Sequence, residues 1–137
     1  MWTREVLPTR PLAVLLLLSL AMVPIAGPAM GEDKYDVARR QYPDLFKVYY
    51  DANVLEYCGL ITRESNGGFH LSRDALILRD TVSEDQQRNI RISAYTAADV
   101  EYENRGLGGY KGWCRTEGKD AYDRFVAFFV AHHIAEP

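Results

Sequence analysis

Few side chains in this sequence are placed to do chemistry, and the two cysteines come first. Cys58 and Cys114 are the only pair among 137 residues, so in an oxidising compartment each has one intramolecular partner and a disulfide is expected. Two free thiols or an intermolecular bridge are the competing outcomes. No Cys-x-x-Cys occurs for thioredoxin-like exchange, and no Cys-x-x-Cys-His for covalent haem. A bridged cysteine is not a nucleophile, and Gly-x-Ser-x-Gly and Ser-x-x-Lys are both missing. No catalytic residue is assigned on this basis, and an enzyme is the less favoured reading.

The second place is the segment Arg105 to Glu117, RGLGGYKGWCRTE, where Gly106, Gly108, Gly109 and Gly112 surround Tyr110, Trp113 and Cys114. Glycines let backbone N–H groups approach an anion, which invites a phosphate-binding loop. The spacing does not fit: five residues separate Gly112 from Gly118, and Lys119 is followed by Asp120 rather than Ser or Thr. No strand precedes Gly106 to make a dinucleotide fingerprint. The expected role is a tight turn that returns Cys114 to Cys58, with Trp113 filling the core beside the bridge.

Metal chemistry finds little support. His132 and His133 are adjacent, about 100° apart on a helix, whereas ligands to one ion sit three or four residues apart. His70 is the only other histidine. Asp99, Glu101 and Glu103 follow two-residue steps, which on a helix spread carboxylates around the axis. Neither a metal site nor a cofactor is expected. Tyrosines do recur at seven-residue steps: Tyr35, Tyr42 and Tyr49, then Tyr50 and Tyr57, then Tyr95 and Tyr102. Two helical turns separate each pair, so each shares a face. Such a stripe serves either a core margin or a recognition surface.

The elements that must position these groups begin after a leader. Arg4 and Arg10 precede an apolar run from Leu12 to Ile25 that ends in small residues, the order of a signal peptide. The run is shorter than the roughly 20 residues that span a bilayer, so no lasting membrane anchor is expected once it is removed. Residues 1–29 are read as the signal peptide, cut after Ala29 or after Gly31, and residues 30–137 as a single helical domain. The full chain carries 16 basic and 19 acidic side chains; losing Arg4, Arg10 and Glu5 leaves 14 and 18, a formal charge of −4. Nucleic acid is a poor partner for that balance.

Within the domain, the segment Glu32–Gln41 reads as a short helix. The stretch Tyr42–Thr62 carries Leu45, Val48, Tyr49, Ala52 and Leu55 or Glu56 on one stripe, and is expected to be the helix around which the rest packs, starting at Pro43. Residues 62–68, TRESNGG, read as a loop. Ser72 is then placed to cap a helix with Ala75, Leu76 and Leu78 or Arg79 inward, although ALIL also suits a strand. Ser83 and Gln86 form a capping box for a long helix that stops at Gly106, its inner face bearing Ile92, Tyr95, Ala94 or Ala98, and Tyr102. A final helix, from about Lys119 to His133, is apolar over more than half its circumference and is expected to be the most deeply buried.

The fold class is therefore all-α, a small bundle of four to five helices tied by one disulfide. No family is recognised from these motifs. In plan alone, a small exported helical domain with one bridge is similar to the periplasmic acid-stress chaperones. The function expected is a small exported binding protein, periplasmic or alternatively secreted, acting as accessory subunit, inhibitor or client-binding protein for a protein partner in the cell envelope. Tyr50 and Tyr102, with Tyr110 and Trp113 at the edge, are the candidate contact residues. The alternative is a small-ligand, metal or haem protein with its pocket at the glycine-rich loop.

Overall fold

The computed structural model describes residues 33–133, which fold as five helices joined by a disulfide, with no strand among them. The signal peptide read at residues 1–29 and its cut site lie outside the described residues.

Helix α1, Lys34–Gln41, starts where the Asp33 carboxylate accepts the Tyr35 N–H at 3.1 Å. Pro43 then stands at the first turn of α2, Pro43–Cys58, because its missing N–H costs nothing there. α2 ends earlier than Thr62. Gly59 adopts φ 64°, ψ 31°, and the Leu60 N–H reaches back to the Leu55 carbonyl at 2.9 Å, the closure of a left-handed helix stop. α2 packs against every other helix, and Leu45, Phe46, Tyr49, Val54 and Leu55 are all buried on it. The stretch expected to organise the chain does so.

α3, Arg63–Asp80, corrects the expected loop at 62–68. Thr62 Oγ1 accepts the Ser65 N–H at 3.2 Å and Ser65 Oγ accepts the Thr62 N–H at 2.8 Å, a capping box that starts the helix ten residues before Ser72. Gly67 and Gly68 lie inside the helix because α5 crosses them. A Cβ on Gly68 would come within 1.8 Å of the Phe125 carbonyl oxygen, and one on Gly67 within 2.5 Å of the Phe129 ring. These glycines set the approach of two helices, not a turn. The inward side chains are Phe69, Leu76 and Ile77, while Leu78 is 82% exposed.

α4, Glu84–Trp113, begins at the expected Ser83–Gln86 capping box. Ile90, Ala94 and Ala98 face the core, and the alanines let α4 lie close to α2. Ile92, expected inward, is exposed. Only Gly106, at φ 66°, ψ −177°, leaves helical geometry in the glycine-rich segment. Helix resumes directly after it, so the expected loop at 105–117 is a kinked helix followed by a π-helical turn, Cys114–Gly118, that runs into α5, Lys119–His133. The bounds expected for α5 hold, but its depth does not. Ala121 and Phe125 are its buried side chains, and Val130 is 52% exposed.

The Cys58–Cys114 bridge, with Cα atoms 5.4 Å apart, ties the end of α2 to the first residue of the π turn. Trp113 beside it is 1% exposed, so it fills the core as expected. Asp51 is a buried carboxylate on α2 held between Lys47 and the Arg124 guanidinium of α5, the latter at 2.7 Å. A carboxylate buried without a cation beside it would be strongly destabilising, and here two cations meet it.

Two outcomes follow from this packing. Reducing the bridge, whose residues are 56 apart, should remove about 4 kcal/mol and lower the melting temperature by on the order of 15 °C in calorimetry. Gly68→Ala should destabilise by about 3 kcal/mol in denaturant titration, since backbone must move to admit the methyl group. Gly108→Ala, where a Cβ meets nothing within 4 Å, should instead stabilise by about 1 kcal/mol.

Candidate functional site

The π turn places one carboxylate at the centre of a polar and aromatic cluster. Glu117 lies within that turn, four residues after Trp113, and its carboxylate reaches the indole of that residue. Trp113 Nε1 donates to Glu117 Oε2 at 2.7 Å, and the Tyr50 hydroxyl stands 3.5 Å from the same oxygen. Arg105 reaches the other carboxylate oxygen at 3.8 Å, donates from Nε to Glu101 at 2.8 Å, and lays its guanidinium 5.4 Å from the Trp113 ring centre. Burial first, then the Glu117 charge, pushes the Tyr50 hydroxyl up to about 12.

The rings gather on the other side of Trp113. Tyr57 lies parallel to Tyr102 at 4.1 Å, both within 6.5 Å of Trp113, and Tyr110 adds a tilted contact with Tyr102 at 5.7 Å. Of the four candidate contact residues, Tyr102, Tyr110 and Trp113 are thus one cluster. Tyr50 joins it through Glu117 rather than by ring contact. Trp113 is enclosed within the bundle, while Tyr50, Tyr102 and Tyr110 are half-buried. Tyr49 is buried, edge-on to Phe69 at 5.9 Å and to Tyr95 at 6.2 Å, so that part of the tyrosine stripe is core.

Tyr50 also lines an opening on the bundle surface. A groove of about 650 Å³ runs between α1, α2 and α4, floored by Phe46, Tyr50 and Ala97 and walled by Ile92, Thr96 and Val100. Ile92 is 38% and Val100 49% exposed. Asp33, Asp36 and Glu101 stand around it; Arg39, the cation that also lines it, has its guanidinium 4.6 Å from the Phe46 ring centre. Ile92, Thr96 and Val100 repeat every fourth residue, so a second apolar stripe on α4 was present in the sequence beside Ile90, Ala94 and Ala98. Glu117 and Arg105 had no such signal, because they stand twelve residues apart on either side of the Gly106 kink.

A second polar link joins α2 to α4. Asp99 accepts from the Tyr57 hydroxyl at 2.6 Å and from Asn53 Nδ2 at 3.0 Å. That bond to Asp99 is the main cause that raises the Tyr57 hydroxyl to about 12. The histidines take up none of this: His132 and His133 stack on Phe128 and Phe129, and His70 lies against Phe69. Among the described residues, no group of three or more His, Cys, Asp or Glu side chains could hold a metal ion.

Both phenols have folded pKa values above the unfolded value near 10, so the folded state favours their neutral forms. Their contribution is complete below about pH 10 and is lost as pH rises toward about 12. Thermal melts across that window should show falling stability, and Tyr57→Phe should flatten the part owed to the Asp99 bond. An unchanged slope in Tyr57→Phe would reject that assignment.

With the site's geometry in place, likeness to known proteins adds nothing to it: no family model matches the chain, and no curated protein and no solved structure matches it.

Proposed function

We propose that the protein is a small exported binding protein of the cell envelope, periplasmic or alternatively secreted. Its α1–α2–α4 groove takes an amphipathic, basic helix from a partner protein. The observation that carries this reading is the groove itself. Phe46, Tyr50, Ile92, Ala97 and Val100 line one open trough, in which Ile92 and Val100 are exposed side by side along α4. An apolar helix face fits such a trough, with anchors every third or fourth residue.

Charge selects among such helices. Asp33, Asp36 and Glu101 line the groove; Glu101 is already paired with Arg105, and Arg39 stacks on Phe46, so Asp33 and Asp36 are the carboxylates that Lys and Arg beside the anchors complement. Export is supported by the leader-like order of residues 1–29 and by a disulfide, a bond that persists in oxidising compartments. Among the described residues no helix is long and apolar enough to cross a membrane.

A synthetic amphipathic helix of Leu and Lys should bind the processed protein, weaken with salt, and weaken about tenfold further in the Ile92→Ser, Val100→Ser double variant. A Leu and Glu helix of the same pattern should bind far less. Equal binding of the two peptides, or no loss in a folded double variant, overturns the groove as the docking site. N-terminal sequencing of protein from the periplasm or medium should begin at Met30 or Glu32; a chain that keeps Met1 inside the cell overturns export.

A further inference from the structure

The kink at Gly106 opens a second, smaller hollow, and we propose that it binds a quaternary or methylated ammonium group. Tyr102, Glu103, Gly106 and Tyr110 line a space of about 200 Å³ there. The planes of Tyr102 and Tyr110 meet at 59° with centroids 5.7 Å apart, so the rings make a wedge and not a stack. Tyr57, parallel to Tyr102 at 4.1 Å, and buried Trp113 behind it hold that wall in place. The backbone of Gly106, at φ 66° and ψ −177°, is open to glycine alone.

The lining selects the ligand class. Aromatic faces carry negative potential and attract a cation set against them, and Glu103 adds a full negative charge at the rim. A primary ammonium has three N–H donors to satisfy and is strongly hydrated. A tetraalkylammonium donates no hydrogen bond and loses little water, so rings and one carboxylate are enough for it. A metal ion needs several oxygen ligands, and a single carboxylate does not provide them. An anion is repelled by Glu103. The hollow is separate in its residues from the α1–α2–α4 groove, and the two proposals stand or fall independently.

Choline and tetramethylammonium, titrated into the processed protein and followed by amide NMR, should give saturable shifts centred on Tyr102, Gly106 and Tyr110. The uncharged isostere of choline, with carbon in place of nitrogen, should give none. Tyr110→Ala and Tyr110→Leu should each weaken choline about tenfold, Tyr110→Phe should retain it, and Glu103→Gln should weaken it severalfold. The Ile92→Ser, Val100→Ser variant should bind choline unchanged. Binding of the isostere as tight as choline, retention in a folded Tyr110→Leu variant, or no saturable shift would each overturn the cation site.

Discussion

The constraint on which the rest of the bundle depends is the covalent join between the last residue of α2 and the first of the π turn. α2 is the central helix, and the chain leaves it at Gly59 to build α3 and α4 before Cys114 returns to its end. The bridge fixes where α4 finishes, and thereby encloses Trp113 against α2 and sets the height at which α5 departs. Gly118 belongs to the same arrangement, because a Cβ there would stand 3.0 Å from Cys58 Sγ. A domain of this size holds a narrow stability margin, and here the buried apolar set includes the small side chains Ala38, Ala94, Ala98 and Ala121. A loop closed by sulfur offsets part of what a thin core lacks.

Small residues do a second kind of service at the helix crossings. Gly67 and Gly68 let α5 come to contact distance of α3, and Ala94 and Ala98 do the same for α4 on α2. Close approach also aligns the polar links that cross between helices: Asn53 and Tyr57 to Asp99, and Asp51 to Arg124. Each buried polar group here has a partner on another element or on its own turn, and among the described residues no buried side-chain nitrogen or oxygen is left without one.

Legibility of the fold divided along the same line. Signals that act through local backbone chemistry were readable: Pro43 at a helix start, the Ser83–Gln86 box, the bounds of α5, and the cysteine pairing. Signals whose meaning is tertiary were not. Gly67 and Gly68 look like turn residues because a turn and a helix crossing ask for the same missing side chain. The segment 105–117 looked like a loop for the same reason, yet only Gly106 uses the freedom glycine has. On α4 the expected inner face holds at Tyr95, Ala94 and Ala98 but fails at Ile92, because Ile90, two residues earlier, takes the core position on the alanine stripe. Three of the four candidate contact residues converge, but Glu117, which links Tyr50 to them, sits four residues after Trp113 in a segment read as a loop, so its helical spacing carried no weight.

Where a sequence violates the rules it otherwise obeys, the violation locates function better than the rules do. This chain satisfies its buried polar atoms and shields Trp113 almost completely, but it leaves Ile92 and Val100 facing water four and eight residues from Thr96 and Ile92 respectively, on a helix with a separate core stripe of its own. Scattered exposed apolar side chains are ordinary. Side chains that repeat every fourth residue along one wall of a groove, over a floor of Phe46 and Tyr50, form a continuous face instead. They stand apart from the fully buried stripe of Ile90, Ala94 and Ala98 on the same helix. A second stripe, Ile92 and Val100 about Thr96, that the bundle covers only in part is what a helix needs in order to be held from both sides, by its own bundle and by a partner.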